Sequence, residues 1–63
     1  MNKPNFIHVT VINDDGTTMS RFINTAHIMQ VYEKNGNVYI ELTEFTTYKV
    51  SVQNIHVFMD KFK

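Results

Sequence analysis

The sequence predicts an α+β fold: a small antiparallel sheet of about five hairpin-connected strands, with room for barrel-like closure, and one C-terminal amphipathic helix. Three observations predict it. Short runs rich in β-branched and aromatic residues alternate along most of the chain. Turn signals, Asn-Asp-Asp-Gly at 13–16 and Asn-Gly at 35–36, separate those runs. Near the C-terminus the apolar spacing changes from two to three or four residues. One domain, 1–63, is expected: a flexible lead-in over 1–5, strands over 6–50 and a helix over 51–62.

The first run, FIHVTVI at 6–12, puts Ile7, Val9 and Val11 on one face and Phe6, His8, Thr10 and Ile12 on the other. Apolar groups on both faces predict a strand covered twice, by a helix, a barrel interior or a second subunit. The Asn-Asp-Asp-Gly turn leads to a partner strand, TTMSRFI, with Met19, Arg21 and Ile23 on one face and Thr18, Ser20 and Phe22 on the other. Asn24 and Thr25 are helix-capping types, so one turn over TAHI precedes the next strand. The helical spacing of Ile28 and Val31 gives way to alternation, which predicts a short turn or a bulge running into the strand there.

Asn35-Gly36 between alternating runs is a two-residue hairpin signal, because a type I′ turn needs positive φ at both central residues. The paired strands are 28–34 and 37–43, with Val38, Ile40 and Leu42 inward. Thr-Glu-Phe turns the chain into a last strand, TTYKV, with Tyr48 and Val50 inward. Ser51 reads as the cap of the helix, where Val52, Ile55, Phe58 or Met59, and Phe62 form one stripe.

Sixty-three residues lie near the lower limit for a self-sufficient core, and the chain has no cysteine to staple it. Self-association is the remaining staple. Six Lys/Arg balance six Asp/Glu, whereas phosphate-neutralising surfaces normally carry excess positive charge, so nucleic acid is a disfavoured partner. MNKPNF carries no apolar signal segment and no run is long enough to cross a bilayer, which makes the cytoplasm the expected compartment.

No motif announces catalysis or a cofactor. His8, His27 and His56 fall on a strand, a turn and a helix without ligand spacing, so no metal site is expected. Asp14 and Asp15 lack the downstream ligands of a calcium loop. Glu41 and Glu44 have no apolar pocket to split their pKa values, and Ser20 and Ser51 have no diagnostically spaced His. The chain is expected not to be an enzyme. Its candidate interface is Phe6, His8, Ile12, Tyr32 and Tyr39, since tyrosine is a common interface anchor. The alternative is a nucleic-acid surface built on Arg21, Lys34 and Lys49, with Tyr32, Tyr39 and Phe45 interleaved with the two lysines as a stacking platform.

The spacing of Gly16, Ile23-Asn24, Ile28, Val31, Val38-Tyr39-Ile40, Leu42, Tyr48-Lys49-Val50 and Ile55 resembles the FlbD/SwrD-like family of small flagellar and swarming-motility proteins. The resemblance covers about nine tenths of the chain and implies a motility-type accessory factor. The family's acidic helix face is replaced by Gln53, Asn54 and His56, and its second hairpin glycine by Glu44-Phe45. Residues 22–62 also resemble the latter part of LytTR DNA-binding domains, whose basic residues around Val-Ser are mostly absent. The expected function is a non-enzymatic protein–protein assembly module that binds itself, another protein, or both. The alternative is a DNA- or RNA-binding regulator on the LytTR-like plan.

Overall fold

The computed structural model describes residues 5–63, so most of the expected lead-in lies outside the described residues. Five strands follow in order: β1 (Phe6–Ile12), β2 (Thr18–Asn24), β3 (Ile28–Lys34), β4 (Asn37–Leu42) and β5 (Thr46–Val50). They form one antiparallel sheet in the order β2-β1-β5-β4-β3.

Local chemistry makes the hairpins. Asn35 and Gly36 both take positive φ, 54° and 80°, as the β3–β4 turn requires. Gly16, at φ 88°, closes the β1–β2 turn and donates its N–H to the Asn13 carbonyl at 2.9 Å. The expected bulge lies between Ile28 and Gln30. The expected single turn is a 3₁₀ turn, Thr25–His27, capped by the Asn24 side chain, which accepts from the Ala26 N–H.

That turn bends the sheet. β2 and β3 are its two outer strands, and across a flat five-stranded sheet they would stand about 19 Å apart. Four residues of extended chain reach at most about 14 Å. Because every neighbouring pair is antiparallel, β2 and β3 run the same way. The link from Asn24 to Ile28 therefore joins the end of one edge to the opposite end of the other and draws those two corners together. The His27 carbonyl accepts the Thr43 N–H at 2.9 Å, and the Thr25 N–H reaches the Asn5 carbonyl at 2.9 Å, which holds the bend. No ladder joins β2 to β3, so the sheet curls without closing. A closed barrel is not formed, because the link is too short to lay the two edges side by side along their length.

One face of the sheet carries the core. Ile7, Val9 and Val11 of β1, Ile23 of β2, Val38 and Ile40 of β4 and Val50 of β5 are buried in one cluster. Phe58, with no exposed surface, completes it from α1 (Ile55–Met59). The inward set expected for β4 and β5 is found, with Leu42 and Tyr48 half-buried at the margin. The second face of β1 is open at its first half, where Phe6 is 57% exposed and His8 is exposed, while Thr10 and Ile12 are half-buried.

The helix is shorter than its stripe predicts. Ser51 is not the cap, because its N–H donates to the Thr10 carbonyl at 2.7 Å and carries the β1–β5 pairing one residue further. The chain bends through Val52 and Gln53, and Asn54 caps α1, its side chain accepting from the Val57 N–H at 2.9 Å. A 3₁₀ turn, Asp60–Phe62, follows. Val52, Ile55 and Phe62 still reach the core margin, so the stripe marks burial correctly where it misplaces the helix start.

Asn54→Ala should lower the unfolding free energy by about 1 kcal/mol, the usual cost of a lost cap. Ser51→Ala should change it by less than about 0.5 kcal/mol. Phe58→Ala should cost about 3–5 kcal/mol, enough to leave so small a domain largely unfolded. Urea denaturation followed by circular dichroism measures all three.

Candidate functional site

The face opposite the core is an open surface. The register places Thr18, Ile12, Lys49, Tyr39 and Tyr32 opposite one another on five successive strands, forming one row across the sheet. Period-two alternation puts all of these side chains on the open face. Tyr32 and Tyr39 stack with centroids 5.3 Å apart and an interplanar angle of 22°. His8 and Phe22, directly paired on β1 and β2, form a second aromatic contact at 5.3 Å. All five residues of the expected interface, Phe6, His8, Ile12, Tyr32 and Tyr39, therefore share this face. They fall into two groups, one near the β1–β2 end and one on the β3–β4 hairpin.

The residues of the nucleic-acid alternative are divided. Lys49 lies on the open face between Ile12 and Tyr39, and Lys34 lies two residues from Tyr32 on the same side. Arg21 pairs with buried Val9 and so projects to the core side. Its guanidinium carbon sits 4.9 Å from the centre of the Tyr48 ring. This cation–π contact links β2 to β5 across the curl.

Sequence reasoning set Phe22 on the outer face of its strand without using it, and counted Phe45 among the rings of the alternative surface. Phe22 is 71% exposed on β2, and Phe45 is fully exposed at the β4–β5 turn. Glu44 and Phe45 are both held at positive φ, 68° and 61°, a strained geometry for a phenyl-bearing residue. The replacement of a hairpin glycine by Glu44-Phe45 was the one sequence signal at that turn. A cleft of about 510 Å³ opens at the curl, lined by Phe6, Phe22, Ile23, His27, Leu42 and Tyr48. A groove of about 470 Å³ lies beside Ile12, Asp14, Tyr39 and Lys49.

Polar candidates have local partners. The Glu41 carboxylate accepts a hydrogen bond from the Gln30 amide across β3–β4. The His27 ring lies 3.4 Å from the Thr43 hydroxyl, His8 contacts Phe22 and His56 is exposed on α1. Among the described residues, no group of three or more His, Cys, Asp or Glu side chains is placed to hold a metal ion. No helix among them is long and apolar enough to cross a membrane.

The free edges differ. β3 presents the bulge together with Glu33 and Lys34, features that discourage strand addition. β2 presents five consecutive exposed residues, Thr18–Phe22, with Arg21 their only charge. Its hydrogen-bond phase follows from the two ends of the hairpin. The Asn13 N–H donates to the Thr17 carbonyl at 2.8 Å and the Thr25 N–H to the Asn5 carbonyl at 2.9 Å, so the odd-numbered positions of β2 face β1. The N–H and C=O groups of Thr18, Ser20, Phe22 and Asn24 face outward. Among the described residues no strand pairs with that side.

Comparison with known proteins finds no matching family model, no matching curated protein and no matching solved structure.

In the β1–β2 turn, Asp15 accepts from the Thr17 hydroxyl at 2.6 Å and the Thr17 N–H at 3.0 Å. The hydroxyl bond first, and the N–H bond second, hold its pKa below the ordinary value of 3.8. A depressed carboxylate pKa stabilises the fold above the unfolded-state value and loses that contribution as pH falls through the folded value. Asp15→Asn should therefore melt below the parent at pH 7. The gap should shrink as pH drops below 3.8, as read by thermal melts across pH.

Proposed function

We propose that this chain is a non-catalytic assembly module that joins a second copy of itself through the free edge of its sheet. The observation that carries the reading is the β2 edge: outward N–H and C=O groups, five exposed residues in a row and a single charge. Soluble proteins usually blunt such an edge with charges, proline or a bulge. β3 has those devices, which makes β2 the edge left for pairing.

Size supports a second copy as the partner. Among the described residues, eight buried apolar residues form the core, in a chain of 63 residues that has no cysteine. Extending the sheet through β2 brings Phe22 and Met19, both exposed in the protomer, next to partner surface. Equal numbers of acidic and basic residues leave no net repulsion between copies.

A second reading is single-stranded nucleic acid on the open face, as in a DNA- or RNA-binding regulator. Its support is the Tyr32–Tyr39 stack with Lys49 and Lys34 beside it. Against it stand Arg21 on the other side of the sheet and a net charge of zero. An accessory role in motility rests on the family resemblance alone. Flagellar genes beside the coding gene would support it, and neighbours of another kind would remove it.

Light scattering coupled to size-exclusion chromatography should give a dimer or larger species at low micromolar concentration. Ser20→Pro removes an outward donor that the protomer's own ladder does not use, at an edge position where proline is tolerated. It should return the mass to that of one chain with the circular dichroism spectrum retained. A parent protein already monomeric across the dilution series ends the assembly reading. Retention on heparin at low salt, lost as salt rises, would instead favour the nucleic-acid reading.

A further inference from the structure

Resting on the self-association reading, we infer that the second copy pairs β2 to β2, antiparallel, with Ser20 on the two-fold axis. A two-fold axis normal to the sheet keeps the same face up in both copies and places one residue of β2 opposite itself. Three residues, Ser20, Arg21 and Phe22, keep a ladder of at least five residues of β2 when placed on the axis, and the structure separates them.

With Arg21 on the axis, two guanidinium-bearing side chains stand side by side on one face. Like charges directly opposite destabilise a ladder. With Phe22 on the axis, Asn24 must enter the new ladder opposite Ser20. Asn24 is half-buried, with its side chain committed to the cap of the 3₁₀ turn. Ser20 is the centre of the exposed run Thr18–Phe22, so a Ser20 axis pairs only residues that the protomer leaves exposed.

The phase of the edge agrees. Ser20 faces outward and pairs with itself through two backbone hydrogen bonds, while Thr18 and Phe22, also outward-facing, pair with each other twice. On the core side Met19 of one copy meets the aliphatic stem of Arg21 of the other. On the open face Phe22 meets Thr18, an aromatic to β-branched pair of the kind that stabilises sheets. Thr18 is itself opposite Ile12, and Phe22 is opposite His8. The aromatic pair His8–Phe22 of one copy thereby runs into the row Thr18, Ile12, Lys49, Tyr39, Tyr32 of the next. The result is one ten-stranded sheet with a continuous open face.

The absence of native cysteine makes the register directly readable. Residues paired across an antiparallel ladder have Cα atoms about 5.5 Å apart, within disulfide reach. Under mild oxidation Ser20→Cys alone should form a covalent dimer, and an equimolar mixture of Thr18→Cys and Phe22→Cys should form a covalent heterodimer. Phe22→Cys alone should stay uncross-linked, because its two copies are offset by four residues, about 13 Å. All three positions are exposed, so none of these variants opens a hole in the core.

Self-cross-linking of Phe22→Cys or of Arg21→Cys in preference to Ser20→Cys moves the axis and overturns this register while leaving assembly intact. A dimer by light scattering that none of the cysteines captures places the interface away from β2, which overturns the proposal in full. A parent protein that is monomeric throughout removes this inference together with the reading it rests on.

Discussion

The shape of this protein depends on a three-residue link between its two outermost strands. The 3₁₀ turn Thr25–His27 joins β2 to β3 over a distance that a flat sheet would not allow. The sheet curls in response, and the curl makes one face a core and the other a surface. Ile23, the single buried residue of β2, lies beside that turn, where the bend folds the strand inward. Further along β2 the strand departs from the core, and its side chains are exposed on both faces.

A curled sheet needs something to fill it, and the C-terminal segment supplies it. Phe58 projects from a helix of five residues, and its ring meets Phe62 edge-on at a centroid distance of 5.8 Å. So short a helix has little stability of its own, because nucleation is costly and few bonds repay it. The Asn54 cap and the burial of Phe58 hold it. In return Phe58 shares one buried cluster with residues on both sides of the seam between the β1–β2 hairpin and the β3–β5 meander. That seam has just two ladder pairs, Val11 with Val50 and Ile12 with Lys49, and the bond from Ser51 to Thr10. The two halves of the sheet are thus joined as much by shared burial as by strand pairing.

The same economy leaves surface unspent. The residues that would cap a larger core, Phe6, Phe22, Met29 and Phe45, are outside it. Arg21 is used at the curl, where its guanidinium lies over the Tyr48 ring, so this cation acts as a brace in the protomer. Apolar exposure at one edge, with charge and a bulge at the other, is the asymmetry on which the assembly proposal rests.

Much of this architecture is legible from residue order alone. Alternation and local turn chemistry specify each hairpin, because a strand paired with its sequence neighbour is decided within about a dozen residues. The Asn35-Gly36 turn, the bulge after Ile28, the Asn24 cap and the inward set Val38, Ile40 and Val50 all follow from such short-range rules. Face membership follows too, which is why Phe6, His8, Ile12, Tyr32 and Tyr39 share one surface. What tertiary structure decided is everything that depends on contacts far apart in the chain. Thr10 claims the N–H of Ser51, so the helix starts at Ile55, behind its Asn54 cap, and not where the apolar stripe begins. Pairing of β1 with β5 sets the strand order, and strand order alone determines that β2, with exposed Phe22, is a free edge. A periodic pattern records which way a side chain points; it carries no record of which strand lies beside it, because that is set by how the whole chain closes on its core.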